Sequence, residues 1–191
     1  MKRIIIFASG SGSNAENIIK YFAKKKNAEV THVFSNNQRA KVLQRAHRLG
    51  VKALHFDRDS FYNSNEVLRI LNDAKPDMIV LAGFLWIFPK NIIDAFTNKV
   101  INIHPALLPK YGGKGMYGSH VHKAVVDNKE QETGITIHYV NEFYDEGAII
   151  FQATTPVQEG DTSEDVAMSV HQLEYKHFPK STFKLCKTFS V

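Results

Sequence analysis

Short apolar runs recur along the chain, each closed by Gly, Ser, Asn or Pro, and between them apolar residues return at helical spacing. Residues 3–8 (RIIIFA) predict a buried strand, SGSGSN a turn, and AENIIKYFAKK a helix with Ile18, Ile19 and Phe22 on one face. The unit repeats: EVTHVFS predicts a strand, RAKVLQRAHRLG a helix closed by Gly50, and VKALHF a third strand. One helix is expected over 61–74, stopping ahead of Pro76, after which DMIVLAGF, PKNIIDAF and VINIH give strand, helix and strand. These strands are apolar throughout, as strands covered on both faces are, so the fold class is α/β: a doubly wound, mostly parallel sheet.

The pattern changes after residue 130. TGITIHYV and GAIIFQATTPV flank NEFYDEG with no helix-length insert, which predicts antiparallel strands near the C-terminal end. Asp161 or Thr162 then caps a long C-terminal helix, with Glu164 or Asp165 in capping-box position; it runs to about residue 187, with a kink expected at Pro179. No repeat or biased segment divides the chain, so one domain over 1–191 is expected.

Charge adds little. The net charge of +5 comes from dispersed Lys and Arg, apart from Lys24-Lys25-Lys26 at a predicted helix end, and a mildly basic field suits small anionic substrates as well as nucleic acid, so charge alone does not choose between them. The run IIIFA is too short for a secretory segment, and no run approaches the roughly 20 apolar residues of a membrane span. The single cysteine, Cys186, has no internal partner and reads as a core residue, so a soluble, cytoplasmic protein without membrane or nucleic-acid partners is expected. The sequence leaves the oligomeric state open.

In open parallel sheets ligands bind at the carboxyl ends of strands. Four stretches fall there: Ser9–Asn14, Ser35–Asn37, Gly83–Phe88 and Asn102–Pro109. Gly10 and Gly12 let SGSGSNA turn sharply into a helix N-terminus, which makes an anion site. The second strand ends FSNN, without the acidic residue a dinucleotide ribose needs, so a phosphate monoester is preferred to a dinucleotide. Asn102 and His104, at i and i+2, share one strand face and converge on one point. Asp145, in the turn-like NEFYDEG, is the preferred carboxylate partner to hold His104 charged, although composition alone does not separate it from an ordinary turn aspartate. GFLWIF, 83–88, reads as core packing or as the lining of a flat aromatic ligand. His120-x-His122 lacks a third ligand at metal spacing, so no metal is expected.

Taken together and in this order, FASGSGSN, LAGFLWIF, INIHPALLPKY and NEFYDEGAII cover nearly the whole chain and closely resemble the phosphoribosylglycinamide formyltransferases of purine synthesis. The resemblance implies a Rossmann-like sheet of formyltransferase type and transfer of a formyl group from 10-formyltetrahydrofolate to the amine of glycinamide ribonucleotide, without a metal. It implies that Gly12, Ser13 and Asn14 hold the substrate phosphate and that Glu174 lies near its ribose and glycinamide. It assigns the folate to Arg58, Leu85, Trp86, Ile87, Phe88, Asn102, Asn141, Glu142, Phe143, Tyr144 and Asp145, and catalysis to Asn102, His104 and Asp145. In the mechanism expected from these residues, Asn102 and a protonated His104 donate to the tetrahedral oxyanion. After Pro109 the chain departs from the family pattern: KYGGKGMYGSHVH is longer than the usual turn and has Gly112 where Pro is common, and Lys110 and Lys114 there are candidates to meet an anion. Methionyl-tRNA formyltransferase and formyltetrahydrofolate deformylase are the competing relatives; each would carry a further domain for which this sequence leaves no residues. A non-catalytic nucleotide-binding module is the alternative from another class.

Overall fold

A computed structural model describes residues 1–188, so residues 189–191 of the expected domain lie outside the described residues. Seven strands form one sheet: β1 (Lys2–Phe7), β2 (Ala28–Ser35), β3 (Lys52–His55), β4 (Met78–Leu81), β5 (Val100–His104), β6 (Glu132–Tyr139) and β7 (Ile149–Pro156). Their order is β3-β2-β1-β4-β5-β6-β7, parallel from β3 to β5 and antiparallel for β6 and β7. The chain winds outward from β1 in one direction and resumes beside β1 with β4 in the other. That reversal opens a crevice between the carboxyl ends of β1 and β4.

Alternation along the strands builds a core on each face. Ile4, Ile6, Met78, Val80, Ile101, Ile103, Ile135 and Ile137 pack under α1 (Ser13–Phe22), α2 (Lys41–Arg48), α6 (Ser119–Asp127) and α7 (Ser163–Thr188). Ile5, Phe7, Ile79, Leu81 and Val100 pack on the other face with α3 (Arg58–Tyr62), α4 (Glu66–Ala74) and α5 (Lys90–Ala95). The second core is aromatic. Phe7 meets Phe88 edge-on at 5.1 Å and Phe84 at 5.5 Å, which anchors the segment after β4.

One expectation changes. The helix over 61–74 is two helices, α3 and α4, because Asn65 takes a left-handed conformation (φ 57°) between them and the side chain of Asp57 caps α3. Pro179 lies inside α7, which continues to Thr188. A proline has no N–H to give the Tyr175 carbonyl one turn back, and the Asn17 amide of α1 donates to that carbonyl instead at 3.0 Å. Thr162 caps α7 as anticipated: its hydroxyl accepts the Asp165 N–H, and the Asp165 carboxylate accepts the Thr162 N–H.

Candidate active site

At the carboxyl ends of β1, β4 and β5 lies a cavity of about 620 Å³, the size of a site for a small molecule or two. One end is built on the turn after β1. Gly12, the residue before α1, has φ 74°, and a Cβ on it would sit 2.3 Å from a Val42 methyl, so α1 and α2 close in only around glycine. No side chain caps α1, and its first internal bond is Glu16 N–H to the Gly12 carbonyl, which leaves the amides of the first turn directed out of the helix at the cavity. Glu174 of α7 is buried there and its Oε2 accepts from Asn14 Nδ2 at 2.8 Å; burial pushes its carboxyl up, against the pull of Asn14 and His171. His122 of α6 is buried beside them, and burial, with His171 and His104 adding to it, lowers its pKa to about 4.

The other end is built on β5 and β6. Their antiparallel register sets Asn102 opposite His138 and His104 opposite Thr136, all on the face away from Ile101 and Ile103. His104 Nε2 lies 2.7 Å from the Tyr111 carbonyl and its Nδ1 3.4 Å from Asp145 Oδ2. Asp145 Oδ2 also accepts the Gly113 N–H at 3.0 Å. Asn102 Nδ2 donates to His138 Nε2 at 3.1 Å and to Asp145 Oδ1 at 3.4 Å, while His138 Nδ1 bonds its neighbour's carbonyl, Tyr139 O, at 2.8 Å. A flipped amide would set the Asn102 oxygen against the Asp145 carboxylate, so the partners fix its orientation.

This geometry alters two expectations. Asn102 spends its amide N–H groups on His138 and Asp145, which leaves its carbonyl, an acceptor, for a ligand. His104 is not held charged: burial lowers its pKa, with His138 adding to it, and this outweighs the raising effect of Asp145 and the Tyr111 carbonyl. Asp145 itself is ionised more readily than usual. Burial pushes it up, but His138, His104 and the Gly113 amide together hold it below the ordinary value.

Between the two ends, Leu85, Trp86, Ile87, Phe88, Asn141, Phe143 and Tyr144 line the wall. The 83–88 segment packs Phe88 into the aromatic core and turns Leu85, 45% exposed, to the cavity side. Arg58 and Glu142 do not line the cavity. The Arg58 guanidinium lies over the rings of Tyr62 and Trp86, at 5.2 and 5.6 Å, one layer behind the wall. Ser35–Asn37 also stay outside, because β2 ends on the far side of β1 from the crevice. Lys110 pairs with Glu130, whereas Lys114 lines the cavity.

His120 and His122 point to different places on α6: His120 is exposed and stacks on Tyr117, and His122 is buried. Among the described residues no group of three His, Cys, Asp or Glu side chains is gathered for a metal. Cys186 is buried, its thiol pushed up to about 12 by burial. Reading the sequence alone missed His138, Tyr111 and His171. The period-2 alternation of TGITIHYV does put Thr136 and His138 on the face opposite Ile135 and Ile137, but nothing in it says which strand lies alongside.

An uncapped, glycine-built helix N-terminus and a histidine–carboxylate pair thus line one crevice. The chain belongs to the formyl transferase family, whose model matches residues 2–182. It is 34% identical to phosphoribosylglycinamide formyltransferase of Escherichia coli over 92% of this chain and 83% of that one. It is also 34% identical to the chloroplastic phosphoribosylglycinamide formyltransferase of Arabidopsis thaliana over 97% of this chain, and spans 66% of that relative's length. The chloroplastic relative of Vigna unguiculata is covered over 61% of its length. Among solved structures, glycinamide ribonucleotide transformylase 1 of Symbiobacterium toebii superposes with a TM-score of 0.89 at 32% identity, over 98% of this chain and 89% of that one. The seven-stranded sheet with its long C-terminal helix is therefore the fold of that enzyme. No helix among the described residues is long and apolar enough to cross a membrane.

Proposed function

We propose that this protein transfers the formyl group of 10-formyltetrahydrofolate to the amine of glycinamide ribonucleotide, as a single formyltransferase domain acting in a reducing compartment such as the cytoplasm. The observation that carries the reading is the pairing of an uncapped, glycine-built helix N-terminus with the His104–Asp145 pair in one cavity. The first turn of α1 at Gly12, Ser13 and Asn14 takes the phosphate, and Glu174 takes the ribose and glycinamide. Leu85, Trp86, Ile87 and Phe88, with Asn141, Phe143, Tyr144 and Asp145, take the pterin; Arg58 acts on it only through Trp86.

The neutral amine attacks the formyl carbon, a C–N bond forms, and the carbonyl electron pair moves to oxygen. Asn102, presenting its carbonyl, accepts from an N–H of the incoming amine and aims its lone pair. His104, kept neutral by burial, removes the proton from the new ammonium, and its charge is then balanced by Asp145. The same proton passes to N10 of the folate as the C–N10 bond breaks and the C=O bond reforms. The phosphate contact supplies proximity from a part of the substrate that does not react.

The test mixes the protein with 10-formyltetrahydrofolate and follows deformylated folate by absorbance, with and without glycinamide ribonucleotide. Product that depends on the ribonucleotide is expected. Product at the same rate without it means a deformylase, and no product in either mixture removes the enzymatic reading.

A further inference from the structure

We propose that Tyr111, held from outside the site by Glu130, is a positioning residue that fixes the proton of His104 on Nε2 and so makes Nδ1 the working nitrogen. The inference rests on reading His104 as the proton carrier. In the familiar histidine–carboxylate arrangement the carboxylate holds one ring nitrogen and the other faces the substrate. Here a backbone carbonyl does the holding. Only a ring N–H can bond a carbonyl, so the 2.7 Å contact to Tyr111 O requires hydrogen on Nε2. Nδ1 then carries the lone pair, makes no hydrogen bond to Asp145 Oδ2 at 3.4 Å, and pairs with that carboxylate only once a proton arrives from a ligand.

The carbonyl can do this only if residue 111 is rigid, and its backbone is unusual. Tyr111 has φ 56°, a left-handed conformation that a bulky aromatic residue adopts only when its surroundings demand it. Those surroundings are on both sides. Outward, the Tyr111 hydroxyl donates to Glu130 Oε1 at 2.9 Å, and Lys110 Nζ donates to both Glu130 oxygens at 2.9 and 3.1 Å. Inward, Gly112 packs where a Cβ would stand 2.5 Å from a Leu108 methyl and 3.3 Å from Asp145 Cβ, and Gly113 N–H bonds Asp145. The segment 111–113 thus meets His104 through the Tyr111 carbonyl and Asp145 through the Gly113 N–H, and the strut that holds it ends on Glu130, just past α6, which does not line the cavity.

The experiment reads the ring nitrogens of His104 by ¹⁵N NMR in the free protein, assigned by their loss in His104→Gln, and measures steady-state formyl transfer. Wild type is expected to carry hydrogen on Nε2 in its neutral form. Glu130→Ala and Tyr111→Phe are expected to mix the two tautomers and lower kcat by about tenfold with KM for both substrates little changed. Glu130→Gln, which still accepts from Tyr111, is expected to recover most of both readouts. A wild-type histidine with hydrogen on Nδ1 overturns the proposal whether or not the variants fold. So does a loss of kcat with the tautomer unchanged, which would make the strut merely structural, and so does an unchanged kcat. The tautomer is read without substrate, so an inactive wild type with hydrogen on Nε2 would sink the formyl-transfer reading and leave this one standing.

Discussion

The two ends of the cavity differ in how their polar groups are satisfied. At the β5–β6 end, Asn102 Nδ2, His104 Nε2, both nitrogens of His138 and both oxygens of Asp145 have hydrogen-bond partners within the chain. At the α1–α7 end, two buried atoms have none among the described residues: Asn14 Oδ1 and His122 Nδ1. An unpaired buried polar group costs about 1–3 kcal/mol, and a ligand that supplies the partner recovers it. Under the proposed function, the reacting end is thus built in advance, which is what stabilising a transition state requires, while the anchoring end gains when substrate arrives. One end should control turnover and the other affinity.

The sharpest break of that division is His104→Asn. It is expected to lower kcat by about a thousandfold, since the proton has no other carrier, with KM for the formyl donor nearly unchanged. Steady-state kinetics in both substrates decide it. A rise in KM at constant kcat would show that His104 only binds.

At the other end, Gly12→Ala should do the reverse. The new methyl meets Val42 and the φ of 74° is strained for alanine, so the first turn of α1 must move, at a cost of about 1–3 kcal/mol. The KM for the ribonucleotide is expected to rise by about tenfold or more while the KM for the folate holds. Adding Val42→Ala relieves the clash and should restore part of the affinity. Equal losses for both substrates would show that the two ends are not separable.

His122 gives a smaller effect, seen in stability. Its folded pKa of about 4 lies below the unfolded value of 6.5, so the fold favours the neutral ring. That contribution is complete above pH 6.5 and is lost as the pH falls toward 4, amounting to about 2 kcal/mol between pH 6.5 and pH 5. Urea unfolding of wild type and His122→Gln at those two pH values should show a shallower fall in the variant. Parallel falls would mean that this end does not carry the penalty.

Most of the scaffold was legible in the residues. Apolar runs such as IIIF and MIVL need cover on both sides, and only a parallel sheet between helices supplies it. The break at Asn65 was not legible, because the apolar spacing of Phe61, Leu68 and Leu71 (i, i+7, i+10) continues across it while the backbone does not. Asn102 and His104 could be paired from their spacing within one strand. His138 and Tyr111 could not: the first depends on the register between β5 and β6, and the second acts through a carbonyl that every residue type possesses. The charge state of His104 was misjudged for a related reason. A sequence shows the neighbour Asp145 but not the depth of burial, and here burial is the larger effect.

The last test lies inside the reacting end and concerns that balance. Asp145 raises the His104 pKa against burial, so Asp145→Asn should let it fall further. The sign follows from the charged form alone: the imidazolium loses its counter-ion, while the neutral ring loses little. Titrating the His104 ring protons by NMR measures the shift, and the acid limb of kcat should move to lower pH with it. A shift in the opposite direction would mean that Asp145 is protonated in the free protein, with its oxygen donating to Nδ1. That outcome would also reverse the direction in which the proton moves during transfer.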